Sequence, residues 1–230
     1  MTAAALFRRG PLGQAFLSAG LFVALAALAV GINMDWLAGI DASVEAWFGS
    51  HRSPREKLDA RTIFRFIGEP TYVASAAVVC GGLLAMQARS VVRAALVIGA
   101  VAVGVVVEQA LKATVTRTAT VVAEQQDKPI AAYQNTFPSG HVTGSAALLG
   151  TIAVCLGAEC NRTLKALLAG LVVAAVLFVG YLTLYVRAHT FSDVIGGMFL
   201  GGALVALSAA LLGASEARVT RDRAADSPGQ

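Results

Sequence analysis

Charged residues are scarce in this chain: they make up 14% of its 230 residues, whereas soluble domains carry about 25%. Cysteine is also scarce, and the three cysteines, at positions 80, 155 and 160, are too few for a disulfide framework. Hydrophobic residues make up 57% of the chain. A chain of this composition buries apolar surface readily, which excludes intrinsic disorder. A water-exposed globule is excluded as well, so the composition predicts a membrane protein.

Long apolar runs with almost no charge dominate the sequence. A bilayer core about 30 Å thick needs roughly 20 apolar residues when it is crossed by a helix. Five uncharged runs have about this length and a sixth is interrupted only by Glu108; they cover residues 15–32, 71–88, 94–111, 142–158, 166–186 and 194–215. Strands of alternating polarity, typical of a membrane barrel, are not found. The sequence therefore predicts an all-α polytopic membrane protein with six transmembrane helices in one bundle.

The basic residues predict how these spans are oriented. Half of the 18 lysines and arginines lie in tails and short loops: Arg8, Arg9, Arg89, Arg93, Arg162, Lys165, Arg218, Arg221 and Arg223. The positive-inside rule places such segments in the cytoplasm. We therefore expect a cytoplasmic N-terminal tail over residues 1–14, a membrane domain over 15–215 and a disordered cytoplasmic C-terminal tail over 216–230. A signal peptide is an alternative for the N-terminus, because residues 27–29 resemble a cleavage site.

Two longer segments are predicted on the outer face. In residues 33–70, apolar side chains recur at helical spacing with two acidic residues between them; the positions are Leu37, Ile40, Asp41, Val44, Glu45, Trp47 and Phe48. This pattern predicts an amphipathic segment at the membrane interface, which either covers the bundle or guides lipid. The second segment, residues 112–139, is polar and has no clear periodicity. Irregular loops of that length tend to carry function.

Two of the three histidines open predicted spans on this outer face. His141 begins the fourth span and closes the run Pro138-Ser139-Gly140-His141. His189 stands just before the sixth span, with Asp193 four residues further on. The same loops carry three cations, which are Lys112, Arg117 and Arg187. A cationic pocket with histidines at the ends of helices suits an anionic substrate such as a phosphate.

In these residues the chain resembles the type-2 phosphatidic acid phosphatase superfamily of membrane lipid phosphatases. That family carries three motifs: a Lys followed seven residues on by Arg-Pro, then Pro-Ser-Gly-His, then Ser-Arg-x5-His-x3-Asp. The second motif is complete at residues 138–141. Lys112 matches the start of the first motif, and His189 and Asp193 match the end of the third. The resemblance covers roughly residues 111–202, together with the layout of six spans and the outer amphipathic segment.

Two arginines of the family pattern are replaced in this chain. Ala119, followed by Thr120, stands where the first motif has Arg-Pro, and Leu182-Thr183 stands where the third has Ser-Arg. Both family arginines would hold phosphate oxygens. Arg117 lies five residues after Lys112, and Arg187 lies one helical turn after Thr183, so these two guanidinium groups could reach the same anion.

The resemblance implies a phosphatase that works through a phosphohistidine. His189 would attack phosphorus, Asp193 would orient its ring, and His141 would protonate the leaving alkoxide and then activate water. The substrate phosphate would be held by Lys112, Arg117, Ser139, Gly140 and Arg187. This scheme requires no metal or other cofactor.

Several of these residues also fit a purely structural role. Asp193 and Ser192 are typical caps for a helix such as the sixth span. Lys112 stands four residues after Glu108, which favours an ion pair on one helix face. Arg187 would complement the dipole at the end of the fifth span. The coincidence of these residues on one face with the complete tetrapeptide favours a functional site.

The predicted function is therefore hydrolysis of a phosphoric monoester or acid anhydride of a lipid, of polyprenyl or glycerophospholipid type, at the outer face. We expect a bacterial inner membrane, an extracytoplasmic active site and, as partners, the lipid substrate and the bilayer but not nucleic acid. A phosphotransferase of the same family and a catalytically weakened lipid-phosphate binder are alternatives. A metal site of His141, His189 and Asp193 is a further alternative, against which the neighbouring cations argue. A transporter is conceivable for any helical bundle, but only Glu108 supports it.

Overall fold

The computed structural model describes residues 10–67, 69–116 and 135–225, which form eight helices and no strand. We number the helices in chain order: α1 Pro11–Asn33, α2 Ala38–His51, α3 Pro54–Phe66, α4 Pro70–Ala88, α5 Val91–Thr114, α6 Gly140–Gly157, α7 Arg162–Tyr185 and α8 Phe191–Ala225. All except α2 and α3 are long and apolar enough to cross a membrane. The predicted all-α class with six candidate spans is thereby confirmed.

Helix α6 is the centre of the bundle and packs on α4, α5, α7 and α8. Its apolar stretch is 67% buried, against 22% for α4, so α6 faces protein on most sides. A glycine on α8 lets the start of α6 come close. A Cβ atom added at Gly197 would lie 2.8 Å from the carbonyl oxygen of Ser139 and 2.9 Å from Cβ of Val142. Glycine at this position therefore brings the start of α6 against the first turns of α8.

The outer segment that follows α1 is divided into two short helices. Residues 52 and 53 separate the two helices. Ser53 caps α3, because its side chain accepts a hydrogen bond from the backbone N–H of Glu56 at 3.2 Å. Helix α2 buries Phe48 and exposes Ile40 and Trp47. The amphipathic segment thus covers one end of the bundle while it leaves an apolar face outside.

The two ends of the chain are more helical than the sequence predicts. Helix α1 begins at Pro11, inside the segment expected to be a tail, because proline is favoured in the first turn of a helix. Helix α8 continues to Ala225, so residues 216–225 of the segment expected to be a disordered tail are helical in this structure. This stretch contains no glycine or proline, and alanine, arginine and glutamate favour a helix. Residues 1–9 and 226–230 of the predicted tails lie outside the described residues.

Candidate active site

A cavity of about 210 Å³ lies where α5 ends and α6 begins. Its polar wall is formed by Glu108, Lys112, His141 and His189. The rest of its wall is mostly apolar and comes from α4, α5 and α6; it consists of Pro70, Val73, Ala74, Val101, Gly104, Val105, Gly140, Thr143, Gly144 and Ala147. Because Val101 precedes Lys112 by three helical turns, the cavity extends about 16 Å along α5. A charged end and a long apolar end suit the head and tail of a lipid.

His189 and Asp193 form a hydrogen-bonded pair at the start of α8. Nδ1 of His189 lies 3.2 Å from Oδ2 of Asp193. The same Oδ2 accepts the backbone N–H of Thr190 at 3.1 Å, and the N–H of Asp193 donates to Oγ1 of Thr190 at 3.4 Å. This reciprocal arrangement is a capping box, so Asp193 caps the helix and orients the histidine at once. Since Nδ1 is engaged, Nε2 is the ring nitrogen left for chemistry.

The turn before His189 is a tight end to α7. The backbone N–H of Ala188 donates to the carbonyl of Thr183 at 3.0 Å, and that of Arg187 donates to the carbonyl of Leu184 at 3.1 Å. These two bonds define a Schellman motif, in which the residue after the cap is left-handed. That residue is Arg187, with φ of 61°. A side chain in this conformation costs about 1–2 kcal/mol relative to the right-handed region, so other contacts must stabilise the turn.

Arg187 contacts α2 rather than the described cavity, and the hydroxyl of Thr183 is bonded within its own helix. Nε of Arg187 lies 2.6 Å from Oε1 of Glu45 on α2, and Arg187 is not among the described residues that line the cavity. Thr183 is fully buried, and its hydroxyl donates to the carbonyl of Val179 in its own helix at 2.7 Å. Phosphate binding by Arg187 therefore stays a prediction, and in this structure its guanidinium holds α2 against the turn.

His141 occupies the first turn of α6 and stacks on an aromatic ring. The ring centroids of His141 and Phe64 on α3 are 4.2 Å apart and their planes differ by 17°. Just before it, the backbone N–H of Ser139 donates to the carbonyl of Asp193 at 3.0 Å. This bond joins the start of α6 to the start of α8. The two histidines, 48 positions apart in the sequence, therefore belong to one structural unit.

Two buried hydroxyls at the start of α6 have no hydrogen-bond partner among the described residues. They are Oγ of Ser139 and Oγ1 of Thr143, whose residues are 0% and 1% exposed. Buried hydroxyls nearly always have a partner in folded proteins, so these two are available to an oxygen-rich ligand. Thr143 lines the cavity but was not predicted as a site residue. Its position three residues after Gly140, on the same helix face, is the signal that could have identified it.

Lys112 forms the predicted ion pair with Glu108 one turn earlier in α5. Glu108 is 8% exposed and its carboxylate lies directly against Gly140, where any side chain would collide with it. The predicted ion pair is therefore present, and Lys112 also lines the cavity, so phosphate binding by Lys112 stays a prediction. The glycine of the Pro-Ser-Gly-His run makes room for this carboxylate at the start of α6.

Of the predicted site residues, the structure brings together Lys112, Ser139, Gly140, His141, His189 and Asp193. Arg117 lies outside the described residues, as do Ala119 and Thr120. Within the described ranges no group of three or more His, Cys, Asp or Glu side chains could hold a metal ion. The carboxylate of Asp193 is bonded to His189 and to Thr190, so the metal alternative gains no support from this geometry.

The fold has a counterpart among solved structures. It resembles the crystal structure of the first transmembrane PAP2 type phosphatidylglycerolphosphate phosphatase from Bacillus subtilis, with a TM-score of 0.70 and 19% sequence identity. The alignment covers 88% of this chain and 96% of that one. At this identity the likeness shows the fold alone. A comparison with curated protein sequences gave no match.

These observations define an integral membrane protein with the fold of a lipid phosphatase. The family model of the PAP2 superfamily matches residues 93–216, which is more than half of the chain. The chain therefore belongs to the PAP2 superfamily, and the predicted family is confirmed. Members of this superfamily are phosphatases, so the membership supports a phosphatase role in general terms.

Proposed function

We propose that the chain is a membrane phosphatase that hydrolyses a lipid phosphate or diphosphate through a phosphohistidine intermediate. The observation that carries this proposal is the His189–Asp193 pair, which opens onto the same cavity as His141 and Lys112. A nucleophile oriented by a carboxylate, a second histidine and a cation are the groups that phosphoryl transfer to histidine needs. The apolar remainder of the cavity fits a lipid tail.

The reaction has two steps. First, Nε2 of His189 attacks phosphorus while the bond to the lipid oxygen breaks, and His141 delivers its proton to the leaving oxygen. Asp193 keeps the proton on Nδ1 and stabilises the imidazolium that forms. Second, water attacks the phosphohistidine, His141 takes the proton of that water, and the phosphorus–nitrogen bond breaks. The products are the lipid alcohol, or the lipid monophosphate from a diphosphate, and inorganic phosphate.

The phosphoryl oxygens would be held at the start of α6. The first backbone N–H groups of a helix have no partner within it, and its dipole favours an anion there. The hydroxyls of Ser139 and Thr143 add two donors, and Lys112 adds charge. A lysine ammonium has three N–H donors, so Lys112 can bind a phosphate oxygen without leaving Glu108.

The two arginines that could replace the missing family arginines need a separate test. If Arg117 and Arg187 contact the bound phosphate, each alanine substitution should lower kcat/KM by about ten- to a hundredfold. Lysine at either position should restore only part of the loss, because it lacks the planar fork of a guanidinium. Unchanged turnover in both alanine variants would show that neither arginine binds the phosphate.

The substrate class and the side of the membrane are part of the proposal. Polyprenyl and glycerophospholipid phosphates share a charged head and an apolar tail, which the polar and apolar parts of the cavity support. Phosphatidylglycerol phosphate is included because the similar solved structure is described as its phosphatase. Arg89, Arg93, Arg162 and Lys165 lie in or beside the two loops at the end of the bundle opposite the cavity. By the positive-inside rule this supports an extracytoplasmic site, which we propose lies in a bacterial inner membrane.

Cysteine labelling in intact cells tests the sidedness. After the native cysteines at positions 80, 155 and 160 are replaced, Asp59→Cys and Thr220→Cys give single exposed thiols, on α3 and on α8. An impermeant maleimide should label the first and not the second before the cells are lysed. The reverse labelling pattern would place the active site in the cytoplasm.

Phosphate release by the detergent-purified protein tests the activity. A panel of polyprenyl phosphates and diphosphates, phosphatidylglycerol phosphate and phosphatidic acid should include a substrate that the wild type hydrolyses and His189→Ala does not. Turnover should persist in EDTA and be inhibited by vanadate, which mimics five-coordinate phosphorus. Release at the wild-type rate by His189→Ala, or loss of turnover in EDTA alone, would contradict the mechanism.

A lipid-phosphate binder without turnover is the second candidate. It is favoured by the fully buried Thr183 and by the ion pair that holds Arg187 at Glu45, since neither position presents a guanidinium to the described cavity. This candidate predicts saturable binding of lipid phosphates with no phosphate release. A phosphotransferase would instead release phosphate slowly and transfer labelled phosphate to an added alcohol, so product analysis separates the three.

A further inference from the structure

Two carboxylates on α2 point inward, towards the chain segment that carries His189. Asp41 is 3% exposed. Its Oδ1 accepts the backbone N–H of Ser192 at 2.8 Å, and its Oδ2 accepts the hydroxyl of Ser192 at 2.7 Å. Glu45, one turn later, contacts Arg187 at 2.6 Å. The two contacted residues lie on either side of His189 in the sequence, so α2 holds this segment both before and after the histidine.

Arg52, at the end of α2, adds hydrogen bonds on the N-terminal side of His189. Arg52 donates to both carboxylate oxygens of Glu45, at 2.8 and 3.1 Å. It also donates to the backbone carbonyls of Tyr185 and Leu184 at the end of α7, each at 2.8 Å. Charge-assisted and bidentate bonds of this kind are stronger and more directional than neutral ones. The end of α7 is therefore fixed to α2 independently of the bonds to Ser192.

The bonds from Asp41 lead directly to the catalytic pair. The hydroxyl of Ser192 lies 3.2 Å from that of Thr190, and Thr190 forms the capping box with Asp193. Asp193 in turn bonds His189. Burying a carboxylate is costly unless it is hydrogen-bonded, and here both oxygens accept from a single residue of the first turn of α8. This specifies where that turn lies, and the orientation of His189 depends on the turn.

We propose that Asp41 is a positioning residue for the His189–Asp193 pair, and that α2 acts as a clamp on the segment that carries the nucleophile. This inference rests on the proposed function, because it assigns Asp41 to the same reaction. Asp41 touches neither the substrate nor the reacting atoms; it acts through Ser192. Removing it should let the first turn of α8 shift, which misaligns the nucleophile while the cavity that binds the lipid keeps its shape.

Steady-state kinetics of phosphate release by the full-length protein test the clamp. Asp41→Ala should lower kcat by about ten- to a hundredfold, since misplacement of a reacting group by about 1 Å has an effect of this size. KM should stay within about twofold of the wild type, because substrate binding is not altered. Asp41→Asn keeps one acceptor oxygen, so its kcat should lie between that of Asp41→Ala and that of the wild type. Asp59→Ala, which removes an exposed carboxylate from the same outer segment, is the matched control and should behave as the wild type.

A double-substitution cycle separates positioning from general destabilisation. If Asp41 acts through Asp193, then adding Asp41→Ala to Asp193→Asn should lower kcat by less than about threefold, because the interaction it supports is already lost. A further loss as large as that in the wild-type background would overturn the proposal, as would wild-type kcat in Asp41→Ala. Both outcomes can be read even if the single variant is less stable than the wild type.

Nitrogen NMR of the ring atoms provides a readout that does not depend on turnover. The chain has three histidines, so spectra of His189→Ala and His141→Ala assign the signals. Asp41→Ala should change the ring signals of His189, whereas those of His51, whose ring bonds to its own helix, should stay. Unchanged His189 signals would overturn the clamp. If the wild type releases no phosphate while Asp41→Ala still changes the His189 signals, only the proposed function is overturned.

Discussion

The two histidines of the site are held in different ways. His189 is fixed by a hydrogen bond to a fully buried carboxylate, and its segment is bonded to α2 on both sides. His141 stacks on Phe64, and its ring has no hydrogen-bond partner among the described residues. A hydrogen bond at Nδ1 fixes the tautomer, as a nucleophile requires, whereas stacking fixes only the plane of the ring. A ring held by stacking leaves both nitrogens available to the leaving oxygen and to water, as a general acid and base requires.

His189→Ala should lower turnover more than any other substitution, because the covalent intermediate cannot form without this ring. We expect phosphate release to fall by more than about 10⁴-fold. Trapping of the phosphoenzyme with labelled substrate and alkaline quenching should show label in the wild type and none in the variant. His51→Ala is the control histidine, since its ring lies on the exposed part of α2. Label retained in His189→Ala would place the nucleophile elsewhere.

Asp193→Asn should follow, with a loss of about 10³- to 10⁴-fold in kcat, since an amide favours the wrong tautomer of the histidine it faces. Asp193 also caps α8, and a lost cap alone costs about 0.5–2 kcal/mol of stability. Ser53→Ala removes a cap that does not touch the site and therefore serves as the matched control. If Asp193→Asn and Ser53→Ala lower turnover equally, Asp193 acts only as a capping residue.

His141→Ala should lower kcat by about 10²- to 10⁴-fold on lipid substrates, the usual contribution of a general acid. The loss in kcat/KM, which reports the first step alone, should shrink on an aryl phosphate, because an acidic leaving group departs without a proton. Asp193→Asn should lower both rates by the same factor, since it acts on the nucleophile. A comparison of the two substrates with both variants measures this difference. If His141→Ala affects both substrates equally, the roles of the two histidines are not separated as proposed.

Phe64→Leu should have the smallest effect of the set. Ring stacking contributes about 0.5–1.5 kcal/mol, so kcat should fall by about two- to tenfold. Phe66 on the same helix is 63% exposed and stacks on Tyr72 rather than on a histidine. Phe66→Leu is therefore the matched control and should leave kcat unchanged. A Phe64→Leu variant with wild-type kcat would show that stacking does not position His141.

Much of the fold and part of the site could be predicted because the signals are local. An apolar run of span length is read within one segment, and so is the complete run from Pro138 to His141. The spacing of His189 and Asp193 predicted their contact, since four residues make one helical turn. The continuation of α8 to Ala225 is local as well, since alanine, arginine and glutamate in that stretch favour a helix.

Arg187 shows what such local reasoning cannot supply. Its position near His189 suggested a phosphate ligand, but its guanidinium contacts Glu45, more than a hundred residues earlier in the chain. The same holds for Ser192, whose bonds to Asp41 span 151 positions. Single-sequence patterns carry no information on which distant segments meet, so these contacts were not predicted.

Length, hydropathy and motif spacing are properties of single segments, so they are enough to predict that this chain spans a membrane and that its PAP2 motifs open two helices on one face. The contact of Glu108 with Gly140, and those of Asp41 and Glu45 with the segment of His189, depend instead on the packing of helices far apart in the chain. A carboxylate is buried only where donors can meet it, and that packing brings the donors together.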